Sequence, residues 1–262
     1  MIFSHNALQD KHILITGATG GIGYETAKTV VQMGADVTIT GRNEEKLNEL
    51  KKDINEDKRV FVRTADLNNE KDRKELVEEA IKQHGPIYGL VNSAGVSGGS
   101  TVEDLDEDTL QSIMQTNFIS LILLTQEAYR SIKKQNQGAV INVSSLSGLR
   151  GTYANTAYAG SKFALIGFTQ SFALEAIEYG VRVNAVCPGF VNTEMGRNAM
   201  NNKAQRNKIS FEDQFEKVKE GLPTGRITEP NEVARSIAFL LTDAATNIVG
   251  ESLKISGGSV MR

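Results

Sequence analysis

The chain has 262 residues, 40% of them hydrophobic and 23% charged, with a net charge of −3. That length and balance fit one large globular domain, and the slight negative charge without a basic run argues against a nucleic-acid binder. No apolar run is long enough to span a membrane, and Met1 to Asp10 lacks the basic and apolar regions of a secretory signal, so a cytoplasmic protein is expected.

Lys11 to Thr16 reads as a short apolar strand. Gly17-Ala18-Thr19-Gly20-Gly21-Ile22-Gly23 follows at once, and a helical pattern starts at Tyr24. Glycines at 17, 21 and 23 allow a tight turn and close approach of backbone to a ligand. The helix N-terminus then offers free N–H groups and a positive dipole end to a pyrophosphate. The spacing, Gly-x-x-x-Gly-x-Gly, is looser than the dinucleotide fingerprint.

Asp36 to Thr40 is the second strand. An acid near its end would bind the adenosine ribose hydroxyls of a dinucleotide, but the chain continues Gly41-Arg42-Asn43. Arg42 can pair instead with a 2′-phosphate, or simply open the charged helix that runs to Ile54. Arg59 to Thr64 is the third strand. Beyond it, Asp66 can hydrogen-bond an adenine amino group or cap the helix from about Asn69 to His84. Ile87 to Asn92 is the fourth strand, closed by Ser93-Ala94-Gly95, small residues that let a ribose pass close to backbone.

A long helical region, about Asp106 to Lys134, carries Asn117 inside the apolar stretch Thr116-Asn117-Phe118-Ile119. A buried amide must find partners, which makes Asn117 a candidate functional residue. Ala139 to Val143 is the fifth strand and delivers Ser144 and Ser145 at its end. Val181 to Cys187 is the sixth, with Cys187 read as a buried strand residue. Pro188-Gly189-Phe190-Val191-Asn192-Thr193 leads into an irregular polar region up to Pro223, with one short helix at Phe211 to Glu220. Its position after a strand end suits a substrate lid at about 194–222. A last helix, Pro230 to Leu241, precedes a final strand, Ser252 to Ile255. Strand and helix alternate throughout, so the expected fold is α/β: a single doubly wound Rossmann domain over 1–262, with about seven parallel strands and helices on both faces.

Three stretches read Tyr-x-x-x-Lys: Tyr24/Lys28, Tyr129/Lys133 and Tyr158/Lys162. In a helix each pair shares a face. Only Tyr158 follows a strand-end serine, Ser145, on the helix opening at Thr156. A lysine cation beside a phenol favours the phenolate and pulls its ordinary pKa of ~10 down. That would fit Tyr158 to trade a proton with a substrate oxygen. Tyr153 has no lysine partner, because position 157 is Ala. The three histidines (His5, His12, His84) are scattered and suggest neither a metal site nor a triad.

Thr16-Gly17-x-x-x-Gly21-x-Gly23, Asn92-Ser93-Ala94-Gly95, Asn117, Ser145, Tyr158-x-x-x-Lys162 and Pro188-Gly189 together resemble the short-chain dehydrogenases/reductases, over about residues 10–258. Ser93 stands where that family usually has a second Asn. The resemblance implies Tyr158 as general acid for carbonyl reduction and Lys162 as the residue that lowers its pKa and bonds the nicotinamide ribose. It gives Ser145 to the substrate oxygen, Asn117 to a water in a proton relay and Thr193 to the carboxamide. It extends cofactor contacts to Gly17, Thr19, Gly20, Gly21, Ile22, Gly23, Arg42, Asp66, Leu67, Asn92, Ala94, Gly95, Pro188, Gly189, Val191 and Thr193, with no metal.

Asn184 to Met195 and Ala94 to Ser100 are similar to 3-oxoacyl-(acyl carrier protein) reductases and polyketide ketoreductases. That implies an NADP(H)-dependent reductase of a 3-oxoacyl thioester or similar ketone, assembled as a homotetramer, with NAD(H) the lesser choice. Asn136 and Tyr179 stand where the fatty-acid branch has carrier-docking arginines, and Lys133 and Lys134 are the nearby substitutes. The competing readings are an alcohol, sugar or steroid dehydrogenase and a non-catalytic nucleotide-binding scaffold. The full set Asn117, Ser145, Tyr158 and Lys162 argues against the scaffold.

Overall fold

The computed structural model describes residues 4–261. Seven strands form the sheet: β1 (His12–Thr16), β2 (Asp36–Gly41), β3 (Val60–Thr64), β4 (Ile87–Asn92), β5 (Gly138–Val143), β6 (Val181–Pro188) and β7 (Ser252–Ile255). All pair in parallel, in the order β3-β2-β1-β4-β5-β6-β7. Each matches the apolar run read from the sequence to within one residue at either end.

Those runs are legible because helices cover both faces, which demands apolar side chains pointing both ways. Side chains alternate between the two faces. Ile13 and Ile15 of β1 join a core with α1 (Gly21–Gln32), α2 (Glu44–Ile54) and α9 (Pro230–Leu241), through Ala27, Val30, Leu47, Leu50, Val233 and Ile237. Leu14, between them, joins the opposite core with α3 (Glu70–His84), α5 (Ser120–Lys133) and α6 (Thr156–Ala176), through Leu76, Ala80, Leu124, Ala128 and Phe172. The strand order turns back between β1 and β4, so a crevice opens beyond their C-terminal ends.

Four details differ from the sequence reading. First, α1 opens at Gly21 and not Tyr24, which brings its N-terminus into the glycine loop itself. Second, the long helical region is two helices, α4 (Glu107–Met114) and α5, joined by a π-helical turn at Gln115–Ile119 that holds Asn117. Such turns carry an extra residue and recur at functional sites.

Third, Asp66 does not cap α3. Asn69 does, accepting from the amides of Lys71 and Asp72, while Asp66 turns back onto the amide of Asn68 at 3.0 Å. Fourth, the supposedly irregular stretch after Thr193 is a helix, α7 (Glu194–Asn207), followed by the expected α8 (Phe211–Glu220). Thr193 caps α7 by accepting from the Gly196 amide at 3.0 Å, and Lys208 ends it at φ 53°. Asparagines at 198, 201, 202 and 207 are poor helix formers. Packing overrides them: Met200 is buried beside Phe211, Phe215 and Ile227. No helix among the described residues is long and apolar enough to cross a membrane.

Candidate active site

A cavity of about 1680 Å³ lies along the C-terminal ends of the strands. Its floor at β1 is the glycine loop. Gly17 sits at φ 63°, and a Cβ there would lie 2.7 Å from the Ala94 backbone. A Cβ on Gly21 would lie 2.7 Å from Thr193 Cγ2, so only glycine admits the start of α7 here. Gly20, at the N-cap of α1, places no side chain on the helix's first amides. Open donors at a helix N-terminus bordering a cavity fit a pyrophosphate. Thr19, Gly20, Gly21 and Ile22 all border the cavity. Gly23 does not. It is buried against the Gly17 carbonyl, where a Cβ would come within 2.4 Å, and so serves the turn.

Beyond β2, Arg42, Asp66 and Leu67 border the cavity, together with Thr40, whose buried hydroxyl has no hydrogen-bond partner. Arg42 is exposed and forms no ion pair among the described residues. Lys46, one turn into α2, borders the same space and reaches Glu194 at the start of α7 at 3.7 Å. Sequence reasoning passed over Lys46 because a lysine on a charged helix reads as solvated surface.

Ser145, Tyr158 and Lys162 meet at the cavity's inner wall. Ser145 accepts from the Ser147 amide at 3.1 Å, which fixes its hydroxyl at the end of β5. Burial pushes the Tyr158 pKa up, and the Ser145 hydroxyl opposes that rise. Burial outweighs the lowering expected from Lys162. The lysine head lies 5.6 Å from the Tyr158 ring centre and donates to the Val143 carbonyl at 3.0 Å. Its own pKa falls to about 8, because burial disfavours the ammonium. At neutral pH Tyr158 therefore keeps its proton and Lys162 largely keeps its charge.

Asn117 is buried just behind the wall. Its Oδ1 accepts from the Val96 amide at 2.7 Å, and its Nδ2 donates to the Val96 carbonyl at 2.9 Å and to Ser161 Oγ at 3.2 Å. Both amide protons are thus used within the protein. Ser161 in turn donates to the Tyr158 carbonyl, so Asn117 ties the loop after β4 to the helix that carries the tyrosine. Asn92 also stands behind the cavity. It donates to Thr125 Oγ1 and Asn142 Oδ1, both at 2.9 Å, and joins α5, β4 and β5. Ala94, Gly95, Pro188, Gly189, Val191 and Thr193 do border the cavity. A Cβ on Gly95 would sit 3.6 Å from the Lys162 head, so this backbone passes close to the lysine.

The rival tyrosines are placed elsewhere. Tyr24 donates to Asp53 at 2.9 Å, and Lys28 pairs with the same carboxylate at 2.7 Å. Tyr129 packs edge-on against Phe172. Tyr153 borders the cavity mouth but is 82% exposed. Lys133 lies over the Tyr179 ring at 3.6 Å, which engages one of the two lysines near the carrier-docking positions. Cys187 is fully buried, and burial pushes its thiol up to about 11, so it is inert at neutral pH.

Residues 11–204 match the family model described as short chain dehydrogenase. The chain is similar to an acetoacetyl-CoA reductase of Acinetobacter sp. (strain RA3849), 30% identical over 97% of this chain and 99% of the relative. It is equally similar to a 3-oxoacyl-(acyl-carrier-protein) reductase of Chlamydia muridarum, 30% identical over 97% of this chain and 99% of the relative. Among solved structures, an actinorhodin polyketide ketoreductase with NADPH superposes with a TM-score of 0.92 at 30% identity, over 95% of this chain and 97% of that one.

Proposed function

This chain belongs to the short-chain dehydrogenase family of nicotinamide-dependent oxidoreductases, and from that premise we propose that it is an NADPH-dependent reductase of a ketone, most simply a 3-oxoacyl thioester. The observation that carries the reading is the convergence of Ser145, Tyr158 and Lys162 on one wall of a cavity whose other end is the glycine loop. The relatives named as acetoacetyl-CoA and 3-oxoacyl-(acyl-carrier-protein) reductases support the thioester.

In this reading the amides of the glycine loop and the α1 N-terminus hold a pyrophosphate. Arg42, with Lys46 beside it, holds the 2′-phosphate, while Asp66 and Leu67 flank the adenine. Pro188, Gly189, Val191 and Thr193 hold the nicotinamide end. Bound NADPH supplies the hydride. Ser145 orients the carbonyl oxygen, and Tyr158, a phenol whose pKa burial raises further and which is therefore protonated at neutral pH, donates the proton. Lys162 supplies the positive charge beside the ribose and the developing phenolate. Asn117 acts as a positioning residue, holding Val96 and the helix of Tyr158 in register. The α7–α8 segment, about 194–222, forms the substrate lid of a single domain. The test is a screen for NADPH oxidation across ketones, diketones and acetoacetyl thioesters; no oxidation with any of them would reject the reading.

The same proposal includes a cytoplasmic homotetramer. Exposed apolar side chains gathered on one helix face call for cover. α6 turns one side to the core and presents Phe163 and Leu174 to solvent, with Ile177 just beyond its end and open space around glycines 160 and 167. Ile119 of the π-helical turn and Leu123 of α5 are exposed apolar side chains as well. A second copy of the same face would bury them in an isologous contact. Light scattering of a monomer at micromolar concentration would reject it.

A further inference from the structure

The cavity's substrate end is cationic, and the proposed reaction leaves that charge unexplained. Seven cations border the cavity (Arg42, Lys46, Arg150, Lys162, Lys203, Arg206 and Lys217) against two carboxylates, Asp66 and Glu194. Glu194 is paired with Lys46. Arg42 and Lys46 sit beyond β2, and Lys162 serves the tyrosine.

The remaining four, Arg150, Lys203, Arg206 and Lys217, come from the loop between Ser145 and Tyr158 and from α7 and α8. They are close enough together that Arg206, Lys217 and Arg150 join burial in pulling the Lys203 pKa down. None of the four forms an ion pair among the described residues. Like charges gathered without counter-ions repel, so the arrangement suits an anion arriving from outside.

An independent observation lies at the same place. Gln214 of α8 borders the cavity and is fully buried, with Oε1 accepting from Asn207 Nδ2 at 2.6 Å. Its Nε2 has no partner. A buried donor left unmade is costly in a finished fold. It is aptly placed if a ligand oxygen completes it.

We propose that Arg150, Lys203, Arg206, Lys217 and the free amide of Gln214 form a second anion site, which binds a phosphate or carboxylate on the substrate remote from its ketone. It is separate from the 2′-phosphate cations: Lys203 and Arg206 lie nine and twelve residues along α7 from Glu194, the residue that meets Lys46, or roughly 14 and 18 Å at helical rise. The substrate is thus a ketone with an anionic tail: either a phosphate-bearing thioester arm or a free acid. This inference rests on the ketone-reductase reading for the identity of the substrate, but not for the existence of the site.

Two measurements test it. In the first, acetoacetyl-N-acetylcysteamine (neutral), acetoacetyl-phosphopantetheine (phosphate) and the monoethyl ester of 3-oxoadipate (carboxylate) are compared as substrates of the wild type and of Lys203→Gln/Arg206→Gln and Lys217→Gln. The wild type should favour one anionic ketone by about tenfold or more in kcat/KM, as expected of a charge-assisted contact. The variants should lose that preference, with kcat/KM falling about tenfold further for the favoured anion than for the neutral ketone. Which anion is favoured tells phosphate from carboxylate.

In the second, phosphopantetheine, pantetheine and glutarate are titrated calorimetrically into enzyme saturated with NADP, so that the cofactor's phosphate sites are filled. One anionic probe should bind about tenfold more tightly than pantetheine, and the double variant should abolish the difference. If anionic probes bind and no ketone is reduced, the reductase reading fails and the anion site stands. If ketones are reduced but charge makes no difference in wild type or variants, the anion site is refuted and the reductase reading stands.

Discussion

The ammonium of Lys162 is tied to the carbonyl of Val143, at 3.0 Å, and not to the hydroxyl of Tyr158 one turn before it. The bond anchors the buried charge to the end of β5, facing the cavity beside Gly95. A buried lysine titrating at about 8 is charged at pH 7 and neutral at pH 9.5.

If that charge holds the cofactor ribose, NADPH affinity should be strongest below pH 8 and weaken as pH rises through it, since only the protonated form offers the cation. Fluorescence titration of NADPH between pH 6.5 and 9.5 checks this. Lys162→Met should bind weakly and show no such dependence. An unchanged pH profile in that variant would assign the effect to another group.

Arg42 should set the cofactor choice. A charge-assisted contact with a phosphate contributes roughly 1.5–3 kcal/mol, so Arg42→Ala should weaken NADPH by about tenfold or more and leave NADH nearly unchanged. Lys46→Ala should act in the same direction but less strongly, because its head also reaches Glu194. Dissociation constants for both cofactors decide it; equal losses for NADPH and NADH would exclude a 2′-phosphate contact.

Legibility followed the physics of each segment. Both faces of the sheet are covered, so its strands had to be apolar runs, and runs such as Val140-Ile141 and Ala185 to Cys187 stand out in the sequence. The Tyr158/Lys162 pair was readable as one helix turn. Where the lysine head goes was not, because its partner is a main-chain carbonyl, and every residue has one. α7 was hidden by its asparagines: the helix is held by burial of Met200 and by contact with α8, which is an interaction between segments. The cations of α7 and α8 fall in the stretch read as an irregular polar lid, where no single cation stands out. Only the fold turns Lys203 and Arg206 toward the space that Ser145 and Tyr158 border.

His12 gives the fold a pH dependence independent of the active site. The ring is buried and neutral, bonding the Gly85 carbonyl through Nδ1 and Thr38 Oγ1 through Nε2, both at 2.9 Å. Burial lowers its pKa from 6.5 to about 4. Below pH 6.5 the unfolded chain takes up a proton there that the folded chain refuses, so stability falls as pH drops towards 4. From those two values the loss between pH 7.5 and pH 5 is about 2 kcal/mol. Urea unfolding at several pH values measures the slope. His12→Gln should flatten it by about that amount; an unaltered slope would locate the titration elsewhere.

The assignment of the proton donor rests on Tyr158 alone among the tyrosines. Tyr158→Phe removes one hydroxyl from a half-buried ring at the cavity wall and leaves Lys162 on Val143, so the fold and the cofactor site should survive. Turnover should then fall by ~10²–10⁴, the usual contribution of general acid catalysis, with NADPH affinity nearly unchanged. Three controls separate this from a general loss of phenols. Tyr24→Phe frees Asp53 from one bond but touches nothing at the cavity. Tyr129→Phe alters a ring packed on Phe172. Tyr153→Phe changes a residue at the cavity mouth that is mostly in solvent, so KM can move while kcat stays. A control that abolished turnover while Tyr158→Phe kept it would transfer the acid to that tyrosine. The chemistry would then need a route that does not pass through Ser145.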